Sequence, residues 1–148
     1  MGVPIRVIYQ GDLHCEAVHG PSGSVLHTDA PLDNGGRGER FSPTDLVATA
    51  LGSCVLTILG LLARQHGWPL EGTRIDLVKE MVTDPVRRIG RVTADVHFPA
   101  GLRFSAKDRL IIRRAAETCP VKHSLHPDVT VDLRFHFPDS SEPERNDR

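Results

Sequence analysis

Apolar and polar residues alternate with a period of two in several short stretches of the chain. Such alternation, with many β-branched residues, is typical of strands with one buried face. The turn residues Gly11 and Asp12 separate the first two stretches and favour a hairpin. The stretch 29–41 contains three glycines and one proline and predicts a loop. Strands are predicted over 3–9, 13–18, 24–28, 73–83, 88–98 and 129–137.

The clearest helix is predicted over 43–65. Ser42 is a good N-cap before Pro43, and Asp45 stands where the acidic member of a capping box belongs. Gly67 suits the left-handed residue that ends a helix. The limits of this helix are therefore set by its own local sequence.

No charged residue occurs from Leu46 to Ala63. A run of this length raises a membrane-spanning interpretation. Glycine, serine and threonine dilute the run, so we interpret it as a helix buried on nearly all sides. A chain of 148 residues can hardly cover such a helix alone. The pattern therefore predicts a homodimer in which two chains share one core.

The second half of the chain predicts two further helices. Ser105 and Asp108 form a capping-box pattern that opens a helix to about Thr118. Pro120 ends that helix near Cys119 and opens a short one. The predicted order, β-β-β-α-β-β-α-α-β, indicates an α+β fold with largely antiparallel sheets. We expect one domain over 1–137 and a disordered polar tail over 138–148.

Charge and cysteine content narrow the class of protein. The formal net charge is −1, so we expect neither a nucleic acid nor an anionic membrane as partner. The first residues lack the pattern of a secretory signal, and we expect a cytoplasmic protein. Three cysteines in such a chain argue against a structural disulfide framework. The thiols are then candidates for chemistry or sensing.

Two of the three cysteines lie in informative local settings. Cys119 before Pro120 is placed at the N-cap of a short helix, where the thiolate is favoured and Lys122 and His123 would add positive charge. Cys54 lies inside the apolar helix and is reactive only if a cation reaches it. The remaining cysteine, Cys15, alternates with apolar strand residues and is predicted to lie in the core.

The cation for Cys54 has two candidates, Arg37 and Arg40, in the loop just before the helix. On local sequence alone, Arg37 is a solvated loop residue and Asp45 a helix cap. A zinc site built from Cys54, Cys119 and His123 is an alternative, but no paired metal-ligand spacing supports it. We therefore predict no metal and no other cofactor.

Two segments carry a family resemblance. The residues FSPTDLVATALGSCVLTIL at 41–59 and AAETCPVKHSL at 115–125 resemble the two cysteine segments of the OsmC/Ohr superfamily, the osmotically inducible and organic hydroperoxide resistance proteins. The resemblance covers residues 3 to about 137. It implies an OsmC-like α+β fold, with antiparallel sheets around a long buried central helix, and an intertwined homodimer with its sites at the subunit interface.

The resemblance also implies a reaction and its residues. It implies a thiol-dependent peroxidase that reduces organic hydroperoxides, with Cys54 as the peroxidatic and Cys119 as the resolving cysteine. An external dithiol would be the reductant, and oxidative or osmotic stress defence the role. Arg37 is the better match for the family arginine, and Asp45 for the acid near the start of the helix. The apolar neighbours Leu51, Val55 and Ile58 suit the organic part of a peroxide.

The sequence departs from the hydroperoxide resistance branch at the acid. That branch places glutamate ten residues before the cysteine, where this chain has Thr44. Asp45 follows one residue later, as in other branches, so the match is to an OsmC-like branch. A redox sensor or a small-ligand binding protein on the same fold, with little turnover, remains the alternative function.

Overall fold

The computed structural model describes residues 1–147. They form two compact units, an N-terminal unit (Met1–Val47) and a C-terminal unit that begins at Ala48. The predicted α+β class is confirmed, with three strands in each of two sheets and three α-helices in the described residues. The helices and strands are β1 (Ile5–Gly11), β2 (His14–His19), β3 (Val25–Asp29), α1 (Pro43–His66), β4 (Arg74–Val82), β5 (Arg88–His97), α2 (Ala106–Ala116), α3 (Pro120–His123) and β6 (Thr130–His136).

The N-terminal unit is built on the antiparallel sheet β1-β2-β3. Val7 pairs with Ala17, and Ala17 with Leu26, so these side chains share one face of the sheet. Val7 is 62% exposed and Leu26 45% exposed. The apolar face therefore lies open to solvent in the single chain.

The loop after β3 contains a short 3-10 helix at Leu32–Asn34 and a close approach of backbone to backbone. A Cβ atom at Gly36 would lie 1.8 Å from the carbonyl oxygen of Ala30. Glycine is therefore required just before Arg37, and it fixes the path of the predicted arginine loop.

The C-terminal unit contains the sheet β4-β5-β6 and most of α1. Strands β4 and β5 pair antiparallel, whereas β5 and β6 pair parallel. The parallel pair departs from the antiparallel pattern because α2 and α3 return the chain to the same end of the sheet before β6 begins. The other three strand pairings are antiparallel, as expected.

Helix α1 packs closely on β4. A Cβ atom at Gly52 would lie 2.5 Å from Cδ1 of Leu77, so glycine permits this approach. Leu51, Val55 and Leu59 form a buried stripe on the same helix. By length and composition alone α1 could cross a membrane, yet core helices satisfy the same criterion. Because this stripe packs into the core, we interpret α1 as a core helix.

The prediction that α1 is buried on nearly all sides does not hold within one chain. Only 28% of its most apolar 18-residue window is buried. Ala50, Thr57 and Leu61 remain exposed. The rest of the helix surface is available for a partner.

The segment after β6, for which the sequence predicts disorder, makes defined contacts. Glu144 exchanges two backbone hydrogen bonds of 2.9 Å with Phe135. Its carboxylate lies 2.6 Å from Nη1 of Arg109 and 3.3 Å from Nη1 of Arg113. The side-chain amide of Asn146 donates to the Arg113 carbonyl at 2.9 Å. Local composition hides the side-chain contacts because their arginine partners lie on α2, far away in sequence.

Candidate active site

Cys54 and Cys119 lie together within the C-terminal unit. Helix α1 carries Cys54, and Cys119 directly precedes α3. Their side chains are close enough for Cys54 to raise the pKa of the Cys119 thiol. Both are free thiols. The structure therefore brings together two residues that are 65 positions apart in sequence, as a disulfide between them would require.

Cys119 occupies the N-cap position that the sequence predicts. Its Sγ accepts a hydrogen bond of 3.4 Å from the backbone N–H of Lys122, and Pro120 is the first residue of α3. The local interpretation was correct about this geometry. It was wrong about the acidity, as the environment of the thiol shows.

Burial raises the pKa of the Cys119 thiol above its ordinary value. The contact with Cys54 raises the pKa further, and the N–H groups of Lys122 and Val121 oppose the shift only in part. Cys119 has no exposed surface. At neutral pH it is therefore held as a neutral thiol, and the cap does not make it the more reactive cysteine.

The two basic side chains that follow Cys119 either have another partner or face solvent. The ammonium group of Lys122 pairs with the carboxylate of Glu117, the residue that ends α2. Burial lowers the pKa of Lys122. His123 is exposed. Lys122 bonds to the Cys119 sulfur through its backbone N–H and not through its ammonium group.

The apolar candidates around Cys54 divide into two groups. Leu51 and Val55 are fully buried, whereas Ile58 and Cys54 are half-buried. Leu51 and Val55 therefore form part of the protein core in this chain. Ile58, four residues after Cys54 and on the same helix face, is the one of the three with a partly exposed side chain, and its role toward a substrate stays a prediction.

The predicted charged residues lie in the N-terminal unit. Arg37 is 67% exposed, and its guanidinium lies 3.7 Å from Asp12. Asp45 forms the expected capping box with Ser42, whose N–H donates to the Asp45 carboxylate at 2.8 Å while the Asp45 N–H donates to the Ser42 hydroxyl at 3.1 Å. Their roles toward Cys54 remain predictions.

A set of histidines in the N-terminal unit was missed by the sequence analysis. His14 bonds through Nδ1 to Asp29 at 2.5 Å and through Nε2 to His27 at 3.1 Å. The hydrogen bond with His14 lowers the pKa of Asp29. His14 and Asp29 line a hollow of about 340 Å³ together with Arg37 and Arg40. The signal was available, because strand alternation with the β2–β3 register places His14 opposite Asp29.

No group of three or more histidine, cysteine, aspartate or glutamate side chains within residues 1–147 has the arrangement of a metal site. The zinc alternative of Cys54, Cys119 and His123 therefore has no geometric support among the described residues.

Comparison with known proteins places this architecture in a family. The family model of OsmC-like proteins matches residues 36–134, a span that includes both cysteines of the pair. The chain belongs to the OsmC/Ohr superfamily. The resemblance inferred from the two cysteine segments is thereby confirmed.

Solved OsmC/Ohr structures show the same fold. A Psychrobacter arcticus protein, provisionally named for osmotic stress induction and a detoxification response, is 43% identical, with a TM-score of 0.84 over 89% of this chain and 94% of its own. The organic hydroperoxide resistance protein OsmC of Legionella pneumophila is 15% identical (TM-score 0.72, 93% and 98% covered). OhrB of Bacillus subtilis is 15% identical (TM-score 0.62, 92% and 98% covered). No functionally curated protein matches the chain.

Proposed function

We propose that this OsmC-like protein is a thiol-dependent peroxidase that reduces organic hydroperoxides to alcohols. The observation that carries the proposal is the contact between a half-buried thiol, Cys54, and a fully buried one, Cys119. Two adjacent thiols of unequal exposure suit a cycle in which one meets the substrate and the other closes a disulfide. Solved structures of the same fold are named for organic hydroperoxide resistance.

The proposed oxidation has two steps. The Cys54 thiolate attacks one peroxide oxygen, the O–O bond breaks, and the other oxygen leaves as an alcohol after taking a proton; Cys54 becomes a sulfenic acid. The Cys119 sulfur then attacks the Cys54 sulfur, hydroxide leaves as water after protonation, and a disulfide forms. An external dithiol returns both residues to thiols.

Arg37 and Asp45 supply the proposed electrostatic support. Arg37 would stabilise the Cys54 thiolate and the charge that develops on the leaving oxygen. Asp45 would orient Arg37. The proposal is compatible with the exposure of Arg37, because a guanidinium in a solvated pair with Asp12 loses little when it changes partner.

We further propose that the protein works as a homodimer. Two apolar surfaces remain open in the single chain, the β1–β3 face around Val7 and the exposed side of α1 around Leu61. Exposed apolar areas of this kind mark interaction sites. A second copy would cover them and complete the burial that α1 lacks in one chain. A cytoplasmic location and a role in oxidative or osmotic stress defence belong to the same proposal.

Steady-state turnover tests the proposed function. With dithiothreitol as reductant, the protein should consume tert-butyl hydroperoxide over many turnovers and faster than hydrogen peroxide. Cys54→Ser should abolish consumption, and Cys15→Ser is the matched control that should retain it. Consumption of a single equivalent without turnover would instead identify a redox sensor.

A further inference from the structure

The two thiols of the pair differ in their access to solvent. Cys54 is partly exposed on α1, whereas no part of Cys119 is exposed. Reduction of a disulfide begins when an external thiolate attacks one of the two sulfur atoms, and access helps to decide which one. The difference in burial therefore bears on the reductive half of the cycle.

We propose that the external dithiol attacks the sulfur of Cys54 and that Cys119 is the leaving group. This inference rests on the proposed two-cysteine cycle and specifies its last step. A thiolate of the reductant forms a bond to Sγ of Cys54 as the Cys54–Cys119 bond breaks, and the electron pair goes to Sγ of Cys119. The second thiol of the reductant then attacks the reductant's own sulfur in the mixed disulfide, which releases the Cys54 thiolate and the oxidised cyclic reductant.

The surroundings of Cys119 suit a leaving group that should not attack the mixed disulfide again. The N–H of Lys122 donates to its Sγ at 3.4 Å and stabilises the negative charge as the disulfide breaks. Burial then favours protonation, since it raises the pKa of this thiol. Because the thiolate and not the thiol is the nucleophile, a protonated Cys119 attacks Cys54 slowly, both in the mixed disulfide and in the sulfenic acid of the oxidative half of the cycle. The second thiol of the reductant, which is free in solution, then completes the exchange before Cys119 returns.

Leaving-group acidity alone favours the opposite direction, because a thiol with a raised pKa leaves more slowly. Access outweighs this effect here. Attack on Cys119 would require the start of α3 to open first, since the sulfur caps that helix from inside the core. Cys54 is partly open in the single chain, and in the proposed dimer the approach that admits the peroxide to Cys54 would also admit the reductant.

Mapping of a trapped mixed disulfide tests the direction of attack. The Cys15→Ser protein is oxidised with diamide, which makes the disulfide without any peroxidase step, and then treated briefly with glutathione, acidified and alkylated. Trypsin places Cys54 and Cys119 in separate peptides, 41–64 and 115–122. Glutathione on peptide 41–64 with alkylated Cys119 is the expected result. Glutathione on peptide 115–122 would overturn the proposal.

Proteins with a single cysteine give a second measurement, the reaction rate of each thiol, which does not depend on disulfide formation. In the Cys15→Ser background, Cys119→Ser leaves only Cys54 and Cys54→Ser leaves only Cys119. We expect Cys54 to react with dithiodipyridine at least roughly 100-fold faster than Cys119 under native conditions, and both at similar rates in urea. Equal native rates would overturn the proposal. Failure of peroxide, but not diamide, to form the disulfide would refute the peroxidase function alone.

Discussion

The two units of the chain bury their apolar residues to very different extents. Among the described residues, every buried apolar side chain lies at or after Ala48, in the C-terminal unit. In the N-terminal unit, the buried side chains are polar, Asp29 and Ser42. Its strands leave Ile5, Val7 and Tyr9 more than half exposed.

The two units therefore differ in how much a core of their own stabilises them. The C-terminal unit has a core of its own, in which the rings of Phe98, Phe104 and Phe137 pack together at centroid distances of 5.0–5.6 Å. The N-terminal unit has an open apolar face. The thiol pair lies in the unit with the apolar core, and the candidate arginines lie in the unit with the open face. The proposed chemistry would then need residues of both units.

The largest effect on the free energy of unfolding is expected from a substitution in the core of the C-terminal unit. Phe135 has no exposed surface, and Phe135→Ala should lower the free energy of unfolding by about 4 kcal/mol through lost burial and a cavity. Val7→Ala in the N-terminal sheet should cost less than about 1 kcal/mol when measured at low protein concentration. Urea unfolding compares the two. Equal losses would mean that the N-terminal sheet is as well packed as the core.

The open face of the N-terminal sheet should be where a second copy binds. Val7→Lys would bury an unpaired charge there and should weaken the dimer by roughly 10- to 100-fold. Ile8→Lys is the matched control, because its side chain points to the opposite face, across from Glu16. Sedimentation over a range of concentrations measures both. A monomeric wild-type protein with full activity would contradict the shared-core proposal.

A half-buried carboxylate on the C-terminal sheet, that of Asp95, should give a pH-dependent contribution to stability. Burial acts to raise the pKa of Asp95, but hydrogen bonds from His136 at 2.7 Å and Arg134 at 2.5 Å outweigh it, so the pKa is lowered. Asp95→Asn should cost about 2 kcal/mol at pH 7.

The sign of the effect follows from the direction of the shift. A lowered carboxyl pKa stabilises the protein above the ordinary carboxyl value, and this stabilisation disappears as pH falls through the folded pKa. The difference between wild type and Asp95→Asn should therefore shrink below about pH 4. Asp76→Asn, on a 55% exposed side chain of the same sheet, should cost less than about 1 kcal/mol throughout. A constant Asp95 effect down to pH 2 would contradict the assignment.

The smallest predicted effect is that of Arg37, in the N-terminal unit, on the reactivity of Cys54, in the C-terminal unit. If Arg37 stabilises the Cys54 thiolate, Arg37→Ala should slow alkylation of Cys54 at pH 7 several-fold, by about 1 kcal/mol. Arg40→Ala should have a weaker effect. The reverse order would identify Arg40 as the partner of the thiolate. No change with either variant would mean that the N-terminal unit does not supply the cation.

Local signals allowed most of the fold to be predicted. Pro43 and the left-handed Gly67 bound α1, and Ser105 with Asp108 forms the predicted capping box. These signals act between neighbours in sequence, so one sequence suffices to recognise them. The contact between Cys54 and Cys119 was expected only from the family resemblance.

The features that were not predicted depend on distant residues. The parallel pairing of β5 with β6 depends on where α2 and α3 return the chain. The tail contacts of Glu144 require arginines on α2. The raised pKa of Cys119 reflects burial by the whole C-terminal unit, which overrides the local effect of a helix N-cap.

Product mapping after one equivalent of tert-butyl hydroperoxide tests the central claim most directly. The wild-type protein should yield a disulfide between peptides 41–64 and 115–122. Cys119→Ser should stop at a sulfenic acid on Cys54 that dimedone labels, while Cys54→Ser should show no rapid reaction and Cys15→Ser should behave as wild type. Dimedone on Cys119 in the Cys54→Ser protein, formed at the wild-type rate, would contradict the account, as would the absence of any disulfide in the wild-type protein.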